Sequence, residues 1–340
     1  MSRRSATALP GRTDFYNQAP IMESAIGLAG SDEHPGIPQR PPAYAHLLID
    51  SRDRGEEADG LLKENANDFI LSAKGNAALL YGYFTRVAIT QVNFDWFVPT
   101  LLANYWDSVR VTNTTTGNTA TINLITAGAT TSGYFTPDDL ATVLEDALKA
   151  TAGVGNAALT VTYNALYGGL EYATNDGSAL QFVSPLAADP TRGPLYKNLL
   201  KTYRVLGISN AMMSTAVNTN IGSPVRGPTS YVDILSERLT KFQRVKDADT
   251  DQSVPRSTQI ARLYLCPPGQ RVIVSNTSSV GGEPFTICVD YNTPKQIKWS
   301  PNEALYQVDL QVRDMDGDLL PWDGETANWE YQLTCVASET

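Results

Sequence analysis

Apolar and polar side chains alternate through much of this chain. Tyr306, Val308, Leu310 and Val312 are interleaved with Gln307, Asp309, Gln311 and Arg313, and Trp329, Tyr331, Leu333 and Cys335 repeat the pattern further on. A period of two puts one set on each face of an extended backbone. Both stretches are therefore predicted as half-buried strands, joined by a turn in which Asp316-Gly317 supplies the positive φ angles. The same reasoning predicts strands in AYAHLLID, DFILSA and the long YFTRVAITQVNFDWFVP. In the last, Val87, Ile89, Val92, Phe94 and Trp96 are the core candidates, and the change of parity between Ile89 and Val92 predicts a bulge. DSVRVTN and TATINLIT flank TTTG as a hairpin, and ALTVTYNA, GGLEYAT and LQFVS follow as further strands.

The helical period appears in TPDDLATVLEDALKA, about residues 136–150. Thr136 is placed to cap the first amides, Pro137 fits the first helical position, and Asp138 and Asp139 complement the positive end of the dipole. Leu140, Val143, Leu144, Ala147 and Leu148 form its apolar stripe. LYKNLLKTYRVLGI reads as a short second helix. Beyond a turn-rich stretch from Ser209 to about Pro228, strands return in YVDILSERL, TQIARLYL, RVIVSN, PFTICVDY, KQIKW and the two segments above. Short strands separated by Gly, Pro and Asn predict an antiparallel sandwich or jelly roll. The expected fold is mainly β: a jelly-roll sandwich plus a second β-rich domain with one amphipathic helix. Residues 1–43, rich in Pro, Gly and charge, are expected to form an extended arm. Residues 44–208 are expected to form the helix-bearing domain and 209–340 the jelly roll. In an alternative arrangement the former is an insertion, and AYAHLLID pairs with the C-terminal strands.

Composition narrows the function. The formal charge is -10, which argues against a general nucleic-acid binder, since that needs a basic face. The exception is the start, where Arg3, Arg4 and Arg12 stand without an acid; it reads as a solvated tail, or as an arm that touches polyanion or a neighbouring subunit. The first residues lack a secretory apolar run, and no stretch approaches a membrane span, so the protein is expected to be made as a soluble intracellular chain. Cys266, Cys288 and Cys335 lie far apart in strand-like settings and are expected as free thiols. Asn113 and Asn276 head glycosylation sequons that are read as chance matches.

Candidate chemistry is sparse. Asp314, Asp316, Asp318 and Glu325 have the ligand spacing of an EF-hand calcium loop. Leu319 stands where that loop needs its glycine, however, Pro321 interrupts it, and strands rather than helices flank it. The turn is the preferred reading, with these four residues as weak calcium candidates. Of the two histidines, His34 falls in the arm and His46 on an early strand with no evident partner, which leaves little for a nucleophilic site. GVGNAA follows a helix and leads into a strand, the reverse of a dinucleotide-binding order, so Gly153 reads as a helix stop. Asp247, Asp249 and Asp251 in DADTD read as a solvated loop. DSRDR, Asp50 to Arg54, is a local ion-pair cluster or a subunit contact. No cofactor is expected.

Taken together, LLIDSRDR, VNFDWFVPTLLANYWDSVRV, GYFTPDDLATVLEDALKA, LLKTYRVLGI, YVDILSERLTKF and the terminal IKWSPNEALYQVDLQVRDMDGDLLPW…WEYQLTCVAS resemble the minor capsid or penton proteins of virophages and polinton-like viruses. The resemblance covers most of the chain after the arm and implies a single jelly roll with an additional β-rich domain. It also implies a pentamer at the five-fold vertices of an icosahedral virion, in contact with the major capsid protein, and no catalytic residues. Two readings compete. One is a receptor-binding spike or lectin-like module, with Trp96, Trp106, Trp299, Trp322 and Trp329 as sugar-stacking candidates. The other is a carbohydrate-active enzyme using the acidic loops.

Overall fold

The computed structural model describes residues 44–54, 65–72, 78–125, 133–154, 158–174, 180–214, 219–242, 258–265, 285–300, 303–322, 327 and 329–339. The arm at 1–43 with His34, and Asp247, Asp249, Asp251, Cys266, Asn276 and Glu325, lie outside the described residues. In chain order the strands are β1 (Tyr44–Asp50), β2 (Asp68–Ser72), β3 (Arg86–Trp96), β4 (Ser108–Asn113), β5 (Thr119–Asn123), β6 (Leu159–Asn164), β7 (Gly169–Thr174), β8 (Leu180–Phe182), β9 (Thr219–Pro224), β10 (Tyr231–Leu235), β11 (Gln259–Tyr264), β12 (Phe285–Asp290), β13 (Gln296–Lys298), β14 (Gln307–Asp314) and β15 (Glu330–Ser338). The helices are α1 (Pro137–Ala150), α2 (Pro185–Ala188), α3 (Pro194–Leu206) and α4 (Asn210–Ser214).

Two antiparallel sheets make a sandwich. One has the order β1-β15-β3-β12, with β13 also on β3; the other runs β11-β10-β14-β2. Leaving out the short β13, the first sheet contains the first, eighth, third and sixth sandwich strands, and the second contains the fifth, fourth, seventh and second. The first and last strands thus lie side by side, and all but one of the steps between successive sandwich strands cross between sheets. This is the jelly-roll order.

Alternation decides what fills the sandwich. Val308, Leu310 and Val312 of β14 and Leu333 and Cys335 of β15 are buried, while the residues between them are half-exposed. Phe94 stacks on Trp329 at 5.2 Å and on Tyr331 at 5.8 Å. Phe69 of β2 meets Tyr331 across the sheets at 6.1 Å. The predicted bulge is present: Thr334 pairs with Gln91 and Cys335 with Ile89, so Thr90 is the extra residue. One prediction is corrected. The stretches at 306–313 and 329–335 do not form a hairpin, because β14 and β15 belong to different sheets. The chain turns back after β14 only as far as an Arg313↔Leu319 bridge, then crosses to the other sheet.

A second core gathers between β3 and β10. Sheets β5-β4-β8 and β6-β7-β9 enclose it with α1 and α3. Leu140, Leu144 and Leu148 of α1 are buried in it, while Val143 and Ala147 are half-buried. Thr136 and Asp139 form a reciprocal capping box at the start of α1. Glu145 accepts from the Val161 amide at 2.8 Å, fixing α1 against β6. β1, β2 and β3 pair with β14 and β15, and β9 pairs with β7. β1, within AYAHLLID, pairs with the C-terminal β15.

The pleat also sorts the potential nucleophiles. Leu47 pairs with Cys335 and His46 with Val336; Cys335 points inward and His46 is exposed, so this histidine and thiol face opposite sides of one sheet. Burial pushes the Cys335 thiol up to about 12, whereas Cys288 on β12 is exposed. Since the thiolate is the reactive form, an alkylating reagent followed by peptide mapping is expected to modify Cys288 in the native protein and Cys335 only on unfolding. Comparable labelling of both would contradict this packing. Among the described residues no helix is long and apolar enough to cross a membrane.

Candidate functional site

The acidic turn after β14 contacts the second packing unit through α3. This helix begins at Pro194 and ends at Leu206, capped by Gly207 in the left-handed conformation. Its faces are divided by spacing. Leu199, Val205 and Leu206 are buried in the second core. Asn198 caps the start of β4: its Oδ1 accepts from the Asp107 and Ser108 amides at 3.0 and 2.9 Å, and its Nδ2 donates to Asp107 at 2.8 Å. Lys197, Lys201 and Arg204, at i, i+4 and i+7, share a third face.

That face meets the turn Asp314–Asp318. The Asp314 amide donates to Asp318 O at 2.9 Å, and the Gly317 amide donates to Asp314 O at 3.0 Å. Only Gly317, at φ +83°, has a positive φ here. The turn is thus a three-residue loop with glycine in the left-handed position, not the two-residue Asp316-Gly317 form predicted. The Asp314 carboxylate accepts from the amides of Asp316 and Asp318, both at 3.0 Å, and so organises the loop.

Each of the three aspartates receives a cation from α3. Lys201 Nζ lies 2.5 Å from Asp314 and 3.1 Å from Asp318, and Lys197 pairs with Asp318. Arg204 grips Asp316 with two nitrogens at 3.0 Å and donates to Pro228 O at 2.7 Å. The Met315 amide donates to Thr229 at 3.2 Å. The central pair is enclosed, with side-chain exposures of 7% for Lys201 and 2% for Asp314. The electrostatics follow from that enclosure. Burial would lower the Lys201 ammonium, but the charges of Asp314 and Asp318 outweigh it and hold it above its usual range. Burial would raise the Asp318 carboxyl, but the Lys197 hydrogen bond and the Lys201 charge outweigh it and hold it below the usual range.

The sequence-predicted calcium candidates are therefore partly brought together. Asp314, Asp316 and Asp318 share one turn, where ammonium and guanidinium groups take their oxygens, and Glu325 lies outside the described residues. Among the described residues no group of three or more His, Cys, Asp or Glu side chains is arranged to hold a metal ion. Sequence reasoning missed Lys197, Lys201 and Arg204. Their spacing within KNLLKTYR was the available signal. Chemically the arrangement is a clamp: buried ion pairs add little net stability over apolar packing, but they are strongly directional, and this one fixes the second unit against the sandwich. Because the folded state holds Asp318 below its unfolded value, its contribution is present above the unfolded value of about 4 and is lost as pH falls through the folded one. A thermal-melting series from pH 6 to 3 is expected to show a shallower acid decline for Asp318→Asn than for the parent. Superimposable declines would show that the carboxylate is not held this way.

The other candidates have structural roles. Asp50 takes Arg52 at 2.6 Å and Gln332 at 2.6 Å. Arg54 is fully buried between the Trp322 ring at 4.8 Å and Glu330 at 3.3 Å. DSRDR is thus a local ion-pair cluster on the β1–β15 edge. Trp96, Trp106, Trp299 and Trp329 are buried, and Trp322 packs partly buried on the same core, so these rings do not form an exposed sugar platform. Asn113 is buried, and its side-chain oxygen accepts from the Thr115 and Thr116 amides at 3.0 and 3.2 Å. Gly153 follows the end of α1 at φ +80°.

No protein-family model matches the chain, and no curated protein matches it. Among solved structures the chain is similar to the mavirus penton protein, at 11% identity and a TM-score of 0.45, over 86% of this chain and 99% of that one.

Proposed function

We propose that this protein is a non-catalytic structural subunit of an icosahedral virus shell. It would act as a minor capsid protein of penton type that assembles with copies of itself, as a pentamer at the vertices, and meets the major capsid protein there. In this reading the chain is one jelly roll, interrupted between β3 and β10 by an inserted β-rich unit. The observation that carries the proposal is the strand order β1-β15-β3-β12 over β11-β10-β14-β2, a jelly roll of the kind viral capsid domains use. Because a fold alone does not fix function, two further features matter. The sequence motifs above resemble virophage and polinton-like virus pentons. In addition, the α3 clamp holds the inserted unit to the sandwich, as a rigid building block requires. The jelly roll is also a lectin architecture, but the five tryptophans read as sugar-stacking candidates lie in or against the core, which removes that support for the lectin alternative. Negative-stain imaging of the purified full chain tests the proposal: closed five-fold rings are expected, and a field of isolated single subunits at every concentration would count against it.

A further inference from the structure

Four tyrosines are well exposed: Tyr81 at 82%, Tyr83 at 67%, Tyr306 at 56% and Tyr44 at 49%. Backbone pairing brings them together. Leu80 and Leu305 form a bridge, with the Leu305 amide donating to Leu80 O at 2.8 Å, which places Tyr81 and Tyr306 on adjoining backbone. A few residues on, the Thr85 amide donates to Ser338 O at 2.9 Å, and Ser338 is the register partner of Tyr44. The segment from Ala78 to Thr85 therefore runs from beside Tyr306 to the end of β15 at Ser338, on whose other side Tyr44 begins β1. Gly82 permits this course. Its φ is +154°, and a Cβ there would lie 2.6 Å from the Phe84 ring, which is buried in the core while Tyr81 and Tyr83 face out. A cluster of exposed aromatics is more informative than scattered ones, and tyrosine suits a surface that is apolar in body and polar at the tip.

The sequence before Tyr44 carries a matching ligand. Before Tyr44 stand Pro35-Gly-Ile-Pro38-Gln-Arg-Pro41-Pro42. Polyproline II has three residues per turn, so prolines at 35, 38 and 41 would share one edge, and such edges dock on aromatic-lined surfaces. Within it, Pro41 and Pro42 restrict φ and disfavour the helical region in the preceding residue, which opposes folding back onto the same copy. At about 3.1 Å per residue, Pro35 can lie roughly 28 Å from Tyr44, a reach suited to another copy. We propose that the Pro35–Pro42 stretch of one copy binds the tyrosine rim of a second copy. This deepens the assembly reading and rests on it, since it names a contact between copies.

The test uses the full chain. A fluorescent peptide of residues 33–43 is titrated into full-length protein carrying Pro35→Ala, Pro38→Ala and Pro41→Ala, so that its own stretch does not compete. Saturable binding is expected, weakened by about tenfold or more on adding Tyr81→Ala and Tyr306→Ala, and retained with Tyr81→Phe. In sedimentation, the proline-substituted chain is expected to self-associate about tenfold more weakly than the parent. A probe that binds equally well with its prolines replaced, or equally well without the tyrosines, would overturn the proposal, as would unchanged self-association. In those cases the parent still assembles and the shell reading stands. A parent chain that stays single at every concentration would instead sink both.

Discussion

Replacing Lys201 by methionine is expected to lower stability by about 3–5 kcal/mol, the usual cost of removing one partner from a buried ion pair. Asp314 would keep its two amide hydrogen bonds, but at 2% exposure burial already holds its carboxyl above the usual range, and without Lys201 it would either keep an unpaired charge or take up a proton at a cost in stability. The double variant Lys201→Met with Asp314→Asn removes both charges while the amide oxygen can still accept from the Asp316 and Asp318 amides, and is expected to recover most of the loss. Urea unfolding followed by tryptophan fluorescence reads the difference. The signal is suited to the question, since Lys201 Nζ lies 5.8 Å from the Trp106 ring. A Lys201→Met midpoint equal to the parent's would mean that the clamp is not a closed, desolvated contact.

Trp329→Ala is expected to cost about 3–5 kcal/mol as well, by cavity formation in the jelly-roll core. The ring is fully buried and stacks on Phe94 at 5.2 Å, and its Nε1 donates to Pro321 O at 2.7 Å. That bond anchors the crossing from β14 to β15, so the substitution removes a packing element and leaves a buried carbonyl without its donor. Trp329→Phe restores much of the volume but not the donor, and is expected to lose clearly less than Trp329→Ala. Near-ultraviolet circular dichroism during thermal melting separates the two. Equal melting of Trp329→Ala and the parent would be incompatible with this core.

These two sites differ in how far the sequence revealed them. Trp329 belongs to an alternating run whose buried face is set by neighbours two residues apart, and such local rules also gave the Thr90 bulge and the Thr136 cap. The partner of a strand is not a local property. Alternation in the stretches at 306–313 and 329–335 fixed which side chains point inward, but it could not say that the two strands lie in opposing sheets, so the predicted hairpin failed. The acidic turn failed differently. Read alone, Asp314, Asp316 and Asp318 look like a ligand set, because the cations that neutralise them lie 112 to 121 residues away in sequence. The KNLLKTYR spacing marked a cationic stripe on a helix, yet nothing in it indicated what the stripe would face. The same holds for Tyr81 and Tyr306, which a single backbone bridge brings together from distant parts of the chain.

A mass measurement in solution bears most directly on the proposal that jelly-roll subunits assemble into a vertex ring. Native mass spectrometry of the full chain at micromolar concentration is predicted to show a species of about five times 36.9 kDa, with its population rising with concentration. A single species at 36.9 kDa across the whole range would contradict it.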